Sequence, residues 1–72
     1  MSTATLLSVT VNGEPRRIHP GGTIAAMLRE LGIDPKRVAV ERNLSIVPRS
    51  TLDEVEVENG DQFEIVHFVG GG

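Results

Sequence analysis

Apolar and small polar residues alternate along Leu7-Ser8-Val9-Thr10-Val11, the pattern of a strand with one buried face. Asn12-Gly13 follows, a pair suited to a two-residue hairpin turn because both central positions of that turn need positive φ. Arg16-Arg17-Ile18-His19 then returns as a second strand, with Ile18 opposite Leu7 and Arg16 opposite Val9. Pro15 has no N–H to donate, so this strand is expected to fray or to lie at a sheet edge there. Pro20-Gly21-Gly22 breaks it, and the period changes. Ile24, Met27, Leu28 and Leu31 fall on one helical stripe, capped by Thr23, stopped by Gly32 and blocked from continuing by Pro35.

The apolar run Val38-Ala39-Val40 predicts a third strand, buried on more than one side. Asn43 suits a turn, and Leu44–Val47 resumes as a strand that Pro48 ends. Thr51-Leu52-Asp53-Glu54 has the form of a capping box and predicts a single helical turn. Val55 and Val57 alternate with acids, and Asn59-Gly60 marks another turn. The last strand is Asp61–Phe68, with Phe63, Ile65 and His67 on one face and Val66 and Phe68 on the other. Being apolar on both faces, it is expected at the centre of the sheet. The order hairpin, helix, two or three strands is an α+β, ubiquitin-like β-grasp arrangement: a mixed sheet of four to five strands with one main helix across one face. Seventy-two residues form one core, so residues 1–69 are expected to be a single domain and residues 70–72 a flexible glycine tail.

Composition narrows the function more by exclusion than by assertion. Two aromatics, Phe63 and Phe68, are too few for a base-stacking platform. With no cysteine there is no thiolate metal site or cysteine nucleophile, and His19 and His67, far apart in sequence, do not suggest a metal site. Met27 on the helix stripe reads as core filler, the serines lack a paired base, and Arg42 and Arg49 read as ordinary exposed arginines. No catalytic set and no bound cofactor is expected. The net charge of −3 divides unevenly: residues 1–49 carry seven basic and four acidic side chains, residues 50–72 six acids and no Lys or Arg. Such a C-terminal third repels phosphates, so neither nucleic acid nor an anionic membrane is an expected partner. A partner with a basic patch fits better. No apolar run approaches the roughly 20 residues of a membrane span, and the first residues lack the pattern of a signal peptide, so a cytoplasmic setting and a free monomer are expected.

The chemistry lies in Val69-Gly70-Gly71-Gly72. Glycines remove lateral bulk, and four extended residues reach at most about 14 Å, so Gly70 and Gly71 can pass a narrow channel and present the carboxylate of Gly72. A carboxylate resists nucleophilic attack; an acyl-adenylate does not. Sulfur can then displace AMP and leave a thiocarboxylate on Gly72. Ordering these residues in a channel costs roughly 1–2 kcal/mol each, so a partner must also grip the body. The expected anchors are Phe68, Val69 and the acids Glu58, Asp61 and Glu64. A non-covalent interaction module on the same fold is the competing reading, and it predicts that the glycines are dispensable.

The stretch Glu58-Asn59-Gly60-Asp61-Gln62-Phe63-Glu64-Ile65-Val66-His67-Phe68-Val69-Gly70-Gly71-Gly72 resembles the C-terminus of the bacterial ThiS sulfur-carrier family. Val11-Asn12-Gly13-Glu14, Val40-Glu41-Arg42-Asn43 and Ile46-Val47-Pro48-Arg49 are similar to its earlier segments, so the likeness runs from Leu7 to Gly72. The Val-Pro-Arg segment favours this family over the small subunit of molybdopterin synthase, which shares the fold and the diglycine end. The resemblance implies that Gly72 is adenylated by an E1-like enzyme, ThiF, which consumes ATP. It further implies that a cysteine desulfurase pathway supplies sulfur and that the thiocarboxylate serves thiazole synthase, ThiG, in making the thiazole of thiamin. Carriers of the same chemistry that serve molybdopterin or tRNA thiolation are the alternative. Gly70 ahead of the diglycine and about five additional residues at the start, expected to be disordered, depart from the family pattern.

Overall fold

The computed structural model describes residues 5–69; the expectations for the first four residues and for Gly70–Gly72 lie outside the described residues. Strand β1 (Leu7–Val11) and strand β2 (Glu14–Ile18) form the opening hairpin. Its turn residues, Asn12 (φ 50°) and Gly13 (φ 83°), both occupy the left-handed region, so the twist of the turn matches that of the strands. The register pairs Leu7 with Ile18, Val9 with Arg16 and Thr10 with Pro15. Thr10 sends its own N–H away from β2, to the Asp61 carbonyl (3.0 Å), so the pair it forms with Pro15 is one that does not call on a Pro15 N–H. Strand β2 is indeed an edge.

Helix α1 (Ile24–Glu30) spans two turns. The Thr23 hydroxyl accepts the Ala26 N–H (3.2 Å), while the Val55 and Leu52 carbonyls accept the N–H groups of Ile24 (2.9 Å) and Ala25 (2.8 Å). Three of the orphan donors of the first turn are thereby satisfied, two by a loop distant in sequence. Gly32 (φ 80°) follows the helix in the left-handed conformation. A short 3-10 turn, Pro35–Arg37, leads into β3 (Val38–Arg42), β4 (Ser45–Val47) and β5 (Gln62–His67).

The sheet order is β2-β1-β5-β3-β4. The last strand is central, parallel to β1 and antiparallel to β3. Its buried face carries Phe63 and Ile65, which meet Val9, Val11, Val38 and Val40 of the flanking strands under Ile24, Met27 and Leu28 of the helix.

Three expectations are corrected. The central strand and β3 are buried on one face only: Val66 and Ala39 lie opposite each other, both exposed, because one short helix covers one face of the sheet. Leu44 belongs to the turn and not to β4. It shares with Asn43 the left-handed region (φ 72° and 52°), a conformation costing a non-glycine residue about 1–2 kcal/mol. The single turn after Pro48 begins at Arg49, not at Thr51, and no capping box forms. The Thr51 hydroxyl instead donates to the Pro48 carbonyl (2.9 Å), closing the Arg49–Thr51 3-10 turn.

Candidate docking face

Because helix α1 takes one side of the sheet, the alternate residues of the strands stand on a face with no covering element. On β5 these are Glu64 and Val66, and Phe68 continues the line past the strand end. Register sets Ala39 opposite Val66, Glu41 opposite Glu64, and Ile46 of β4 opposite Glu41. Ile46 is 76% exposed beside Glu41, while Val66, 63% exposed, and Phe68, 50%, form an apolar stripe that leads to Val69, 98% exposed. Like charges set opposite each other, here Glu41 and Glu64, are locally unfavourable, so this face keeps a feature its own stability does not ask for.

The geometry of β5 decides where the chain leaves the fold, and two asparagines hold it. Asn12 accepts the Ile65 N–H at 2.7 Å and donates to the Ile65 carbonyl at 3.1 Å, extending the β1–β5 contact beyond the last residue of β1. From the other side, Asn43 accepts the Gln62 N–H at 3.0 Å, and its own N–H meets the Gln62 carbonyl at 2.7 Å. Each turn asparagine therefore sets the bend of a hairpin with its backbone and the register of the central strand with its side chain.

Asp61 anchors the start of β5. It is 5% exposed, and its carboxylate accepts hydrogen bonds from Arg42 Nε (3.0 Å), Asn43 Nδ2 (3.1 Å) and the Glu58 N–H (2.8 Å). Burial alone pushes its pKa up. The bonds from Glu58, Asn43 and Arg42 and the nearby Arg42 charge outweigh burial and hold the carboxyl below its ordinary value. The expectation that Asp61 is a docking anchor is thus corrected: its oxygens are engaged inside the fold. Arg42, read from sequence as an exposed arginine, is partly buried in the same network.

Of the other expected anchors, Phe68, Val69 and Glu64 come together on the open face and at the root of the tail. Glu58 lies at the far end of β5, exposed and 3.9 Å from Arg42. Gly72, expected to be the modified residue, and Gly70 and Gly71, expected to pass a partner's channel, lie outside the described residues. The sequence does not single out Ile46 or Val66 as exposed apolar residues, and it marks Arg49 only as an exposed arginine. The alternation of Val66 and Phe68 with Phe63 and Ile65 was visible, but alternation does not reveal which face is left uncovered. Among the described residues no group of three His, Asp or Glu side chains could hold a metal ion, and no helix is long and apolar enough to cross a membrane.

A five-stranded mixed sheet gripping one helix, with an apolar open face running to the end of its central strand, defines a protein of the ubiquitin-like β-grasp class. A designed protein built on the template of human erythrocytic ubiquitin shares the fold at a TM-score of 0.50 and 14% identity, covering 94% of this chain and 96% of that one. Residues 9–72 match the model of the ThiS family, and the chain belongs to that family. The ThiS crystal structure from Geobacter metallireducens superposes with a TM-score of 0.76 at 30% identity, covering 92% of this chain and all of that one. The sulfur carrier protein ThiS of Bacillus subtilis is 47% identical over 51 residues, 71% of this chain and 77% of that protein. A thiazole synthase of Paramagnetospirillum magneticum is 50% identical over 66 residues, 92% of this chain. The chain spans only about 20% of the length of that synthase, and the same share of a second one from Magnetococcus marinus.

Proposed function

We propose that the protein carries sulfur to thiazole formation in thiamin biosynthesis on the carboxyl group of Gly72. An E1-like ThiF enzyme joins that carboxylate to ATP, releasing pyrophosphate and leaving Gly72 as the acyl-adenylate. A cysteine desulfurase pathway supplies sulfur as a persulfide, a thiol reductant releases it as sulfide and is itself oxidised to a disulfide, and the sulfide attacks the acyl carbon and expels AMP. The thiocarboxylate that remains is nucleophilic at sulfur and gives it to thiazole synthase, ThiG. No side chain of the carrier takes part in bond making, and no cofactor is bound; ATP belongs to the activating partner. The protein acts in the cytoplasm and is a monomer when free.

The observation that carries this reading is the placement of the last strand. The strand is held centrally, and the apolar stripe of Val66 and Phe68 continues into exposed Val69, immediately ahead of the glycines. A partner that closes on this stripe gains the contacts needed to offset ordering of the tail. Kinship with a sulfur carrier and with thiazole synthases supports the carrier role and a ThiG-type acceptor. The chemistry needs a free carboxyl at Gly72. The test is ATP–pyrophosphate exchange by a ThiF-type enzyme with three forms: the chain ending at Gly72, the chain lacking Gly72, and a chain extended beyond it. Exchange with the first form alone is expected. Equal exchange with the extended form would remove the carboxyl group of Gly72 from the reaction, and no exchange with any form would favour a non-covalent module.

A further inference from the structure

Arg49 closes the Ile46–Arg49 segment and stands where the chain leaves the sheet. Arg16, Arg29, Arg37 and Arg42 all lie beside carboxylates. Arg49 lies instead over an aromatic face: its guanidinium carbon is 4.7 Å from the centroid of the Phe68 ring. That distance is within the range of cation–π attraction.

The two ends of this contact are supported differently. Arg49 opens the 3-10 turn Arg49–Thr51, which is closed by the Thr51 N–H on the Pro48 carbonyl (2.9 Å) and the Leu52 N–H on the Arg49 carbonyl (3.2 Å). Leu52 is buried in the core, and its own carbonyl holds the Ala25 N–H of the helix. The base of Arg49 is therefore fixed to the body. Phe68 lies past the end of β5, and its N–H donates to the Arg37 carbonyl (2.9 Å). Beyond that bond comes Val69, 98% exposed. The Arg37 carbonyl on the backbone and the Arg49 guanidinium on the ring thus hold the last residue before the chain projects from the fold.

We propose that Arg49 is a positioning residue for the C-terminal end, acting through Phe68. By holding the ring on the open face it keeps the Phe68 N–H on Arg37 and sets the direction in which the chain passes through Val69. Its consequence for activation rests on the proposed delivery of Gly72 to a partner. A pre-set direction raises the fraction of free carrier that is competent to enter a channel, and the apparent affinity scales with that fraction. The end, once seated, reacts as before. The signature is therefore a change in KM for the carrier, with kcat held.

The test compares wild type, Arg49→Ala and Arg49→Lys in two measurements. In the free protein, hydrogen exchange of the Phe68 amide is expected to quicken about two- to fivefold in Arg49→Ala, the bias an exposed cation–π contact supplies. The Phe63 and Ile65 amides keep their wild-type rates. In ATP–pyrophosphate exchange with a ThiF-type enzyme, KM for the carrier is expected to rise by the same factor. Arg49→Lys, which keeps a cation over the ring, recovers most of both changes. In a Phe68→Leu background, Arg49→Ala has no further effect. A raised KM with unchanged Phe68 exchange would overturn the proposal in favour of direct contact between Arg49 and the partner. Equal quickening at Phe63 and Ile65 would overturn it in favour of a general loss of stability. Wild type that drives no pyrophosphate exchange would sink the carrier reading and not the clamp, which the amide comparison decides by itself.

Discussion

Replacing Asp61 by alanine removes the acceptor for three donors at the start of the central strand: Arg42 Nε, Asn43 Nδ2 and the Glu58 N–H. Arg42, partly buried, keeps only Glu58 at 3.9 Å, so its charge is left poorly compensated. Removing one partner of such a cluster costs about 3 kcal/mol, the sum of lost charge-assisted bonds and stranded donors. A domain of this size has roughly 4–11 kcal/mol in total, so the loss is a large share of it. In melting temperature it corresponds to about 12–24 °C. Urea unfolding followed by circular dichroism at pH 7 measures the loss, and the slope of the transition should stay the same because the surface exposed does not change. The dependence on pH has a definite sign. Folding lowers the Asp61 pKa, so the carboxylate's contribution is complete above its unfolded value, about 3.9, and fades as pH falls through the lower folded value. The gap between wild type and Asp61→Ala should therefore narrow as pH drops from 7 toward roughly 2. A loss below about 1 kcal/mol at pH 7, or a gap that ignores pH, would refute the anchoring role.

Three other outcomes follow from the same geometry. Asn12→Gly keeps a residue at ease in the left-handed turn but deletes both bonds to Ile65, and should cost about 2 kcal/mol in chemical denaturation. A change near zero would show that β5 does not need the clamp. Thr23→Ala, which uncovers the Ala26 N–H, should cost about 1 kcal/mol in the same assay. Val66→Asp lies on the open face away from the core. It should weaken binding to a ThiF-type enzyme, read by calorimetry, by about tenfold or more, with about 1 kcal/mol or less taken from folding. Undiminished binding would move the docking site off this face.

What the sequence revealed and what it hid divide along the range of the interactions. The hairpin turn at Asn12-Gly13 and the capped helix are set by neighbours a few positions apart, and each was legible; the hairpin register near Pro15 was not, because pairing Arg16 with Val9 gave it no local support. The central place of β5 was legible too, because Phe63, Ile65, Val66 and Phe68 are too apolar for an edge. Its uncovered face was not: that depends on how many elements the chain has left to cover it, and α1 is the only helix longer than one turn among the described residues. Asp61 looked like one more surface acid. Its partner Arg42 is nineteen positions away and becomes a neighbour only when β3 lies against β5. The second task of Asn12 and Asn43, reading the backbone of β5, is equally invisible before the strands are assembled. Arg49 carried no local signal either, since an arginine after a proline does not announce an aromatic ring nineteen residues further on.

The central claim is that the body exists to present the carboxyl group of Gly72 for activation and sulfur loading. Intact-mass spectrometry of the chain ending at Gly72, after incubation with ATP, a ThiF-type enzyme and sulfide, tests it most directly. The account expects a gain equal to the difference between sulfur and oxygen, localised by fragmentation to Gly72 and absent without ATP. An unchanged mass, or a gain placed anywhere else in the chain, would contradict it.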